Sequence, residues 1–159
     1  MISTQKNSYG KEDPQDGESY AGIITYQKKG GRSYLAVPLS TRLKKDKEYY
    51  VEFYISLAEA SKYAVDNIGM IISKPIKPDM DKDNAFIQND KNSYVTHLEK
   101  KVVKSFNGWE KICGTFVAKG KEELIIIGNF FPNNNLKIES VKKPKTFRIT
   151  VQPLSYYYI

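Results

Sequence analysis

The clearest alternation of apolar and polar positions runs over residues 47–57. Tyr49, Val51, Phe53, Ile55 and Leu57 fall on one side, and Tyr50, Glu52, Tyr54 and Ser56 on the other. A period of two marks a half-buried strand. The first set is expected in a core, and the second is either a solvated sheet face or a ligand face. The same reasoning gives strands over residues 20–26, 33–38, 66–73, 109–118, 123–131, 147–151 and 156–159. Lys28 to Arg32 reads as a turn, because Gly30 and Gly31 tolerate positive φ. Residues 58–64 suit a short helical turn, and residues 94–105 either a strand or a short helix. Residues 74–94 form a long polar insertion containing Pro75 and Pro78. A loop of that length in a compact domain is as a rule functional or mobile. Many short strands, turns between them and no sustained helical period predict an all-β sandwich.

The chain's 159 residues suit one domain with a real core. Residues 1–19, polar and rich in Gly, Asp, Glu and Ser, read as an irregular lead-in, and residues 20–159 as the sandwich, expected to be part of a larger chain. The net charge is +7 and is carried almost wholly by lysine, with Arg32, Arg42 and Arg148 the only arginines. The lysines are spread along the chain among acids, whereas a nucleic-acid binder concentrates its cations on one element. No nucleic-acid partner is therefore expected. The lysines make either a solvated surface that blunts strand edges or an attraction to anionic polymers such as acidic glycans or lipopolysaccharide. Cys113 is the only cysteine, which excludes an intramolecular disulfide, and it is expected to be a buried, inert thiol. No apolar run reaches the ~20 residues of a membrane helix, so no transmembrane segment is expected. The N-terminus lacks the apolar core of a signal peptide. The protein is thus either cytoplasmic or a mature piece of a longer exported chain.

Several stretches, in order, carry a resemblance: Gly17 with Tyr20-Ala21-Gly22-Ile23, Tyr34-Leu35, the run from Tyr50 to Gly69, Gly108-Trp109 through Ala118, and Ile127-Gly128-Asn129-Phe130. Together they resemble a domain of Bacteroidetes cell-envelope proteins that often precedes an OmpA-like, peptidoglycan-binding domain. Some of its relatives are linked to gliding motility and type IX secretion. The resemblance covers roughly residues 17–159, and the run from Tyr50 to Gly69 is its most specific part. It implies a jelly-roll β-sandwich of the carbohydrate-binding-module, galactose-binding-like kind. It also implies an outer-membrane-associated or extracellular location and a non-catalytic binding module, with other envelope or secretion-system proteins as partners. The chain departs from the family at both ends. It lacks the usual Asn-Pro-Ser-Phe-Glu opening and stops at Tyr158-Ile159 instead of closing on Tyr-Ile-Asp-Asp-Val. Those ends would pair with each other in a jelly roll, so the chain is expected either to be a fragment of a larger protein or to complete its sheet with a partner strand.

Catalysis has little to stand on, and no enzyme is expected. His97 and Cys113 are single, and no motif frames either. Asp79, Asp81 and Asp83, with Asp90 at the twelfth position, follow an EF-hand loop superficially and could hold a structural calcium. Asn84 stands where that loop needs glycine, and Asp90 is shorter than the usual glutamate. The alternative is a solvated acidic turn. A sugar site needs an aromatic plane for the ring face and a few polar groups for the hydroxyls. Tyr50, Glu52 and Tyr54 offer these from one face, and Arg32, Asp66, Asn67 and Asn133 to Asn135 could add polar groups from loops. Trp109 is either a stacking platform or an anchor at the rim of the core.

Overall fold

The computed structural model describes residues 2–3, 6–74, 94–97, 100–106 and 108–159. Its strands are β1 (Ile2–Ser3), β2 (Lys6–Asn7), β3 (Gly10–Lys11), β4 (Tyr20–Gln27), β5 (Leu35–Pro38), β6 (Glu48–Leu57), β7 (Tyr63–Val65), β8 (Ile68–Ser73), β9 (Tyr94–Thr96), β10 (Glu110–Val117), β11 (Leu124–Asn129), β12 (Ile138–Ser140) and β13 (Leu154–Tyr158). Among the described residues there is no α-helix, only a 3-10 turn at Asn133–Asn135. One antiparallel sheet has the order β1-β4-β13-β6-β10 and the other β5-β11-β8-β9. They form a β-sandwich. Two short pairs, β12-β7 and β2-β3, flank it.

The alternation of β6 places its apolar set between the sheets. Phe53, Ile55 and Leu57 are buried there with Ile112 and Phe116 of β10 and Tyr157 of β13. Facing them are Ile68, Met70 and Ile72 of β8 and Ile127 of β11. Each fully buried side chain of this size contributes about 1.5–3 kcal/mol. The Tyr157 hydroxyl, at the centre of this core, donates to the Val103 carbonyl at 2.6 Å.

Strand β4 changes sides along its length. Its register against β13 slips between Ser155 and Tyr156, where Tyr26 and Ile24 are the successive partners and Thr25 is the extra residue. A bulge of this kind turns the following side chains to the opposite face. Tyr20 and Ile24 therefore belong to a cluster on the outer face of the sheet, whereas Tyr26 joins the inner core. The Thr25 hydroxyl is satisfied by the Ser155 hydroxyl at 3.1 Å.

Several expectations need correction. Residues 58–61 close a single turn, with Ser61 N–H donating to the Ala58 carbonyl at 2.9 Å, but no helix follows, because the other backbone groups go to distant partners. Ala58 N–H donates to the Tyr156 carbonyl at 3.0 Å, Ala60 N–H to the Tyr9 carbonyl at 2.8 Å and Lys62 N–H to the Gln152 carbonyl at 3.0 Å. Residues 147–151 are not a strand. Phe147 N–H donates to the Pro144 carbonyl at 3.1 Å within the loop, and Lys143 Nζ caps the Ile149 carbonyl. Residues 94–105 begin as a strand, β9, and none of the described residues after it is helical. The stretch from Trp109 to Phe131 gives two strands, as read, but they lie in different sheets. The turn between them crosses the sandwich and is pinned by Glu122, whose carboxylate accepts from the N–H groups of Lys119 at 2.6 Å and Lys121 at 2.9 Å. Burial alone would raise the Glu122 carboxyl, but these and neighbouring backbone donors outweigh it and hold it low. β13 is buried throughout and runs through the middle of the five-stranded sheet.

Candidate functional site

The polar-aromatic face of β6 points away from the core and meets different surroundings along its length. Ser56 is fully buried, Tyr54 is half-buried, and Glu52 and Tyr50 are exposed. The gradient is set by residues 7–13, which lie over one end of this face. Ser56 donates to Glu12 Oε2 at 2.6 Å, and the same carboxylate accepts from Gly108 N–H at 3.0 Å and Asp13 N–H at 3.2 Å. Glu59, 1% exposed, receives Lys11 N–H at 3.2 and 3.3 Å. Only glycine fits opposite it, since a Cβ on Gly10 would stand 1.6 Å from Glu59 Oε2. The Tyr9 ring stacks on Tyr156 at 4.0 Å and 9°. The segment read as a lead-in thus adds Tyr9 to a second layer, in which Tyr20, Tyr156 and Tyr158 are buried and Trp109 packs against them.

Where this cover stops, a cleft of about 570 Å³ opens. Trp109, Tyr54 and Tyr20 supply its aromatic surface, and Glu52, Asp16 and Gln15 its polar groups. One flank is the side of β6 that β13 does not reach, since β13 pairs with β6 only through Ser56 and Leu57. Trp109 is fixed by its indole N–H, which donates to the Asp13 carbonyl at 2.8 Å, and by an edge contact to Tyr20 at 5.9 Å. It is a rim residue with one polar tie and part of its surface facing the cleft.

Glu52 is the hub of the exposed part. Tyr50 donates to its Oε2 at 2.7 Å, Tyr54 approaches Oε1 at 3.5 Å and Lys111 Nζ lies 3.5 Å from Oε2. The Tyr50 hydroxyl bond, then the Lys111 charge, hold the Glu52 carboxyl below the usual carboxylate range. The same bond, with the neighbouring Cys113 thiol, pushes the Tyr50 phenol up. Cys113 lies opposite Glu52 on β10 and is half-buried, not the fully buried thiol expected, because its strand position faces outward.

The other predicted residues fall elsewhere and are used structurally. The Arg32 guanidinium donates to the carbonyls of Asn129 at 2.8 Å and Phe131, and to the side chain of Asn133. Burial lowers its pKa. Asn129, with no exposure, bridges to the Asp66 carbonyl at 3.0 Å, and the Asp66 carboxylate accepts from Lys137 N–H at 2.9 Å. Asn67 takes a left-handed φ of 56° and offers its carbonyl to the Tyr94 hydroxyl at 2.9 Å. Arg32, Asp66, Asn67 and Asn133 therefore clamp loops, and are not gathered with Tyr50, Glu52, Tyr54 and Trp109. His97 and Lys101 both approach Glu110 Oε1, at 2.9 and 2.6 Å, tying the end of β9 to β10. Asp79, Asp81 and Asp83 lie outside the described residues; among the described ones no group of three His, Cys, Asp or Glu is placed to hold a metal.

Sequence reasoning missed Asp16, Gln15 and Tyr20 as cleft walls and Glu12 and Glu59 as the ties beneath them. A single acid inside the small-residue run from Ala58 to Ser61 was the available signal for Glu59. Compared with protein families, curated proteins and solved structures, the chain matches none.

Proposed function

We propose that this protein is a non-catalytic cell-envelope binding module of jelly-roll, galactose-binding-like topology that takes a glycan in the Trp109–Tyr54–Glu52 cleft. The observation that carries the reading is the cleft itself. Aromatic surfaces stand beside a carboxylate and an amide on the outer face of a rigid sheet, and sugar rings and hydroxyls call for that pairing. The strand order supports the topology. Taking the eight principal strands β4, β5, β6, β8, β9, β10, β11 and β13 in turn, one sheet holds the first, eighth, third and sixth, and the other the second, seventh, fourth and fifth. Two Greek keys wound into a double-sheet jelly roll would give this order, which supports the reading. The resemblance noted above adds the envelope location.

The test is binding to a panel of envelope and plant glycans, with calcium present and chelated, for the native protein, Tyr54→Ala and Trp109→Ala. Saturable binding that weakens about tenfold in either variant is expected. A calcium requirement that Asp79→Asn, Asp81→Asn and Asp83→Asn together abolish would assign the metal to those residues. Binding unchanged in both variants moves the site away from the cleft.

A second reading, a structural interaction domain in a type IX secretion or gliding-motility assembly, draws on one observation. The flank of β6 from Glu48 to Ile55 has no strand paired beside β13 among the described residues. An extended partner segment could add there. Absence of any glycan binding, with β6 amides protected from exchange only in an envelope extract, selects this reading.

A further inference from the structure

The chain as a whole is strongly basic, yet the cleft is not. No lysine or arginine lines it, while Glu52 and Asp16 both do. The surrounding segment has the same sign, since Glu12, Asp13, Asp16 and Glu18 outnumber Lys6 and Lys11 in residues 1–19. We propose that the cleft selects an ammonium-bearing sugar, a polymer of unacetylated amino sugar, over neutral and acidic glycans. This rests on the glycan reading above and names the ligand class.

Three features argue for it. The electron-rich faces of aromatic rings such as Trp109 and Tyr54 attract a cation within about 6 Å of a ring centre, and both residues border the same space as Glu52. Glu52 already seats an ammonium, Lys111 Nζ, at 3.5 Å on Oε2, whereas Oε1 receives only the long contact from Tyr54 at 3.5 Å. One oxygen thus keeps accepting capacity toward the cleft. Asp16 spends Oδ1 on Gly17 N–H at 2.8 Å and offers its other oxygen. A uronic or sulfated sugar would bring a third negative charge beside these two carboxylates, and Lys111, the lysine that Glu52 holds, is not among the residues lining the walls. The lysine-rich exterior, which by itself suggests acidic polymers, therefore does not describe this cleft.

The experiment is titration calorimetry at mildly acidic pH, where the sugar amine is protonated. The probes are a glucosamine oligomer, its N-acetylated counterpart and an oligogalacturonate, against the native protein, Glu52→Gln, Asp16→Asn and Tyr54→Ala. Glu52 and Asp16 are exposed, so their isosteric variants are expected to fold, and circular dichroism checks this. The glucosamine oligomer is expected to bind about tenfold more tightly than the N-acetylated one, to lose that preference in Glu52→Gln and to weaken with added salt. Equal affinity for the two oligomers, or a preference kept in both Glu52→Gln and Asp16→Asn, overturns the charge selection while leaving the glycan reading in place. A stronger response to oligogalacturonate overturns it in the opposite direction. No binding of any oligomer, with Tyr54→Ala indistinguishable from native, sinks both.

Discussion

The two faces of the five-stranded sheet bury side chains by different chemistry. On the inner face Ile55, Leu57, Ile112 and Phe116 meet the aliphatic residues of the opposite sheet, and the fully buried hydroxyl of Tyr157 is bonded. On the outer face tyrosines predominate, and two glutamates, Glu12 and Glu59, are buried with them. Apolar contact is non-directional and scales with area. Buried carboxylates must find donors or they cost several kcal/mol. The inner layer therefore needs only the right volume, while the outer layer needs each donor in place. Its donors come from the backbone of residues 11 and 13, from Gly108 N–H and from Ser56. The outer layer can thus be released without dismantling the inner one, and its edge forms the cleft.

The largest change expected to test this division is Ile55→Ala. Removing a fully buried side chain from between the sheets should cost about 2–5 kcal/mol and lower the denaturation midpoint of the whole domain in one transition. Tyr9→Ala should cost less, about 1–2 kcal/mol, by removing the stack on Tyr156. Hydrogen exchange would then show faster exchange confined to residues 7–13 and their partners, with β6 and β8 amides as protected as before. Global acceleration would mean that the two layers are one cooperative unit. Glu59→Gln is expected to have the smallest effect, within about 1 kcal/mol, but a distinctive one. Burial raises the Glu59 carboxyl, the backbone donors of Glu59 and Lys11 oppose this, and the Glu12 charge adds to it. An acid raised on folding binds its proton more tightly in the folded state. Its contribution is therefore full at low pH and falls as pH climbs from the ordinary carboxylate value through the folded one. Urea denaturation over that range should show the decline in native protein and a flatter profile in Glu59→Gln. An unchanged slope would assign the decline to another group.

The same division explains what could be read from the residues alone. The alternation of β6 is unambiguous, because apolar and polar side chains differ at every step from Tyr50 to Leu57. It placed the inner core and, on its reverse, Glu52 and Tyr54. β13 offered no such contrast. Tyr156, Tyr157 and Tyr158 are identical in type but point to opposite faces. In β4 a single extra residue, Thr25, reverses the assignment of Tyr26. The outer layer was hidden because its cover is polar in composition, and the stabilising partner of each acid is a backbone N–H that any residue carries. Arg32, Asp66 and Asn67 lie away from the cleft for a related reason: a guanidinium suited to holding a sugar is equally suited to holding backbone carbonyls, a carboxylate to holding a backbone N–H, and an asparagine to taking a left-handed turn.

The place of β13 has a consequence for how the chain comes to be folded. The Thr25 hydroxyl meets Ser155 across 130 positions of sequence, and β4 and β6 are brought into one sheet only by the strand between them. Pairing of such high contact order is slow. During synthesis β4 and β6 must wait, with apolar residues and bare amide edges exposed, until nearly the entire domain has left the ribosome. Over that interval, nascent chains truncated before Leu154 are expected to associate with one another or to depend on a chaperone.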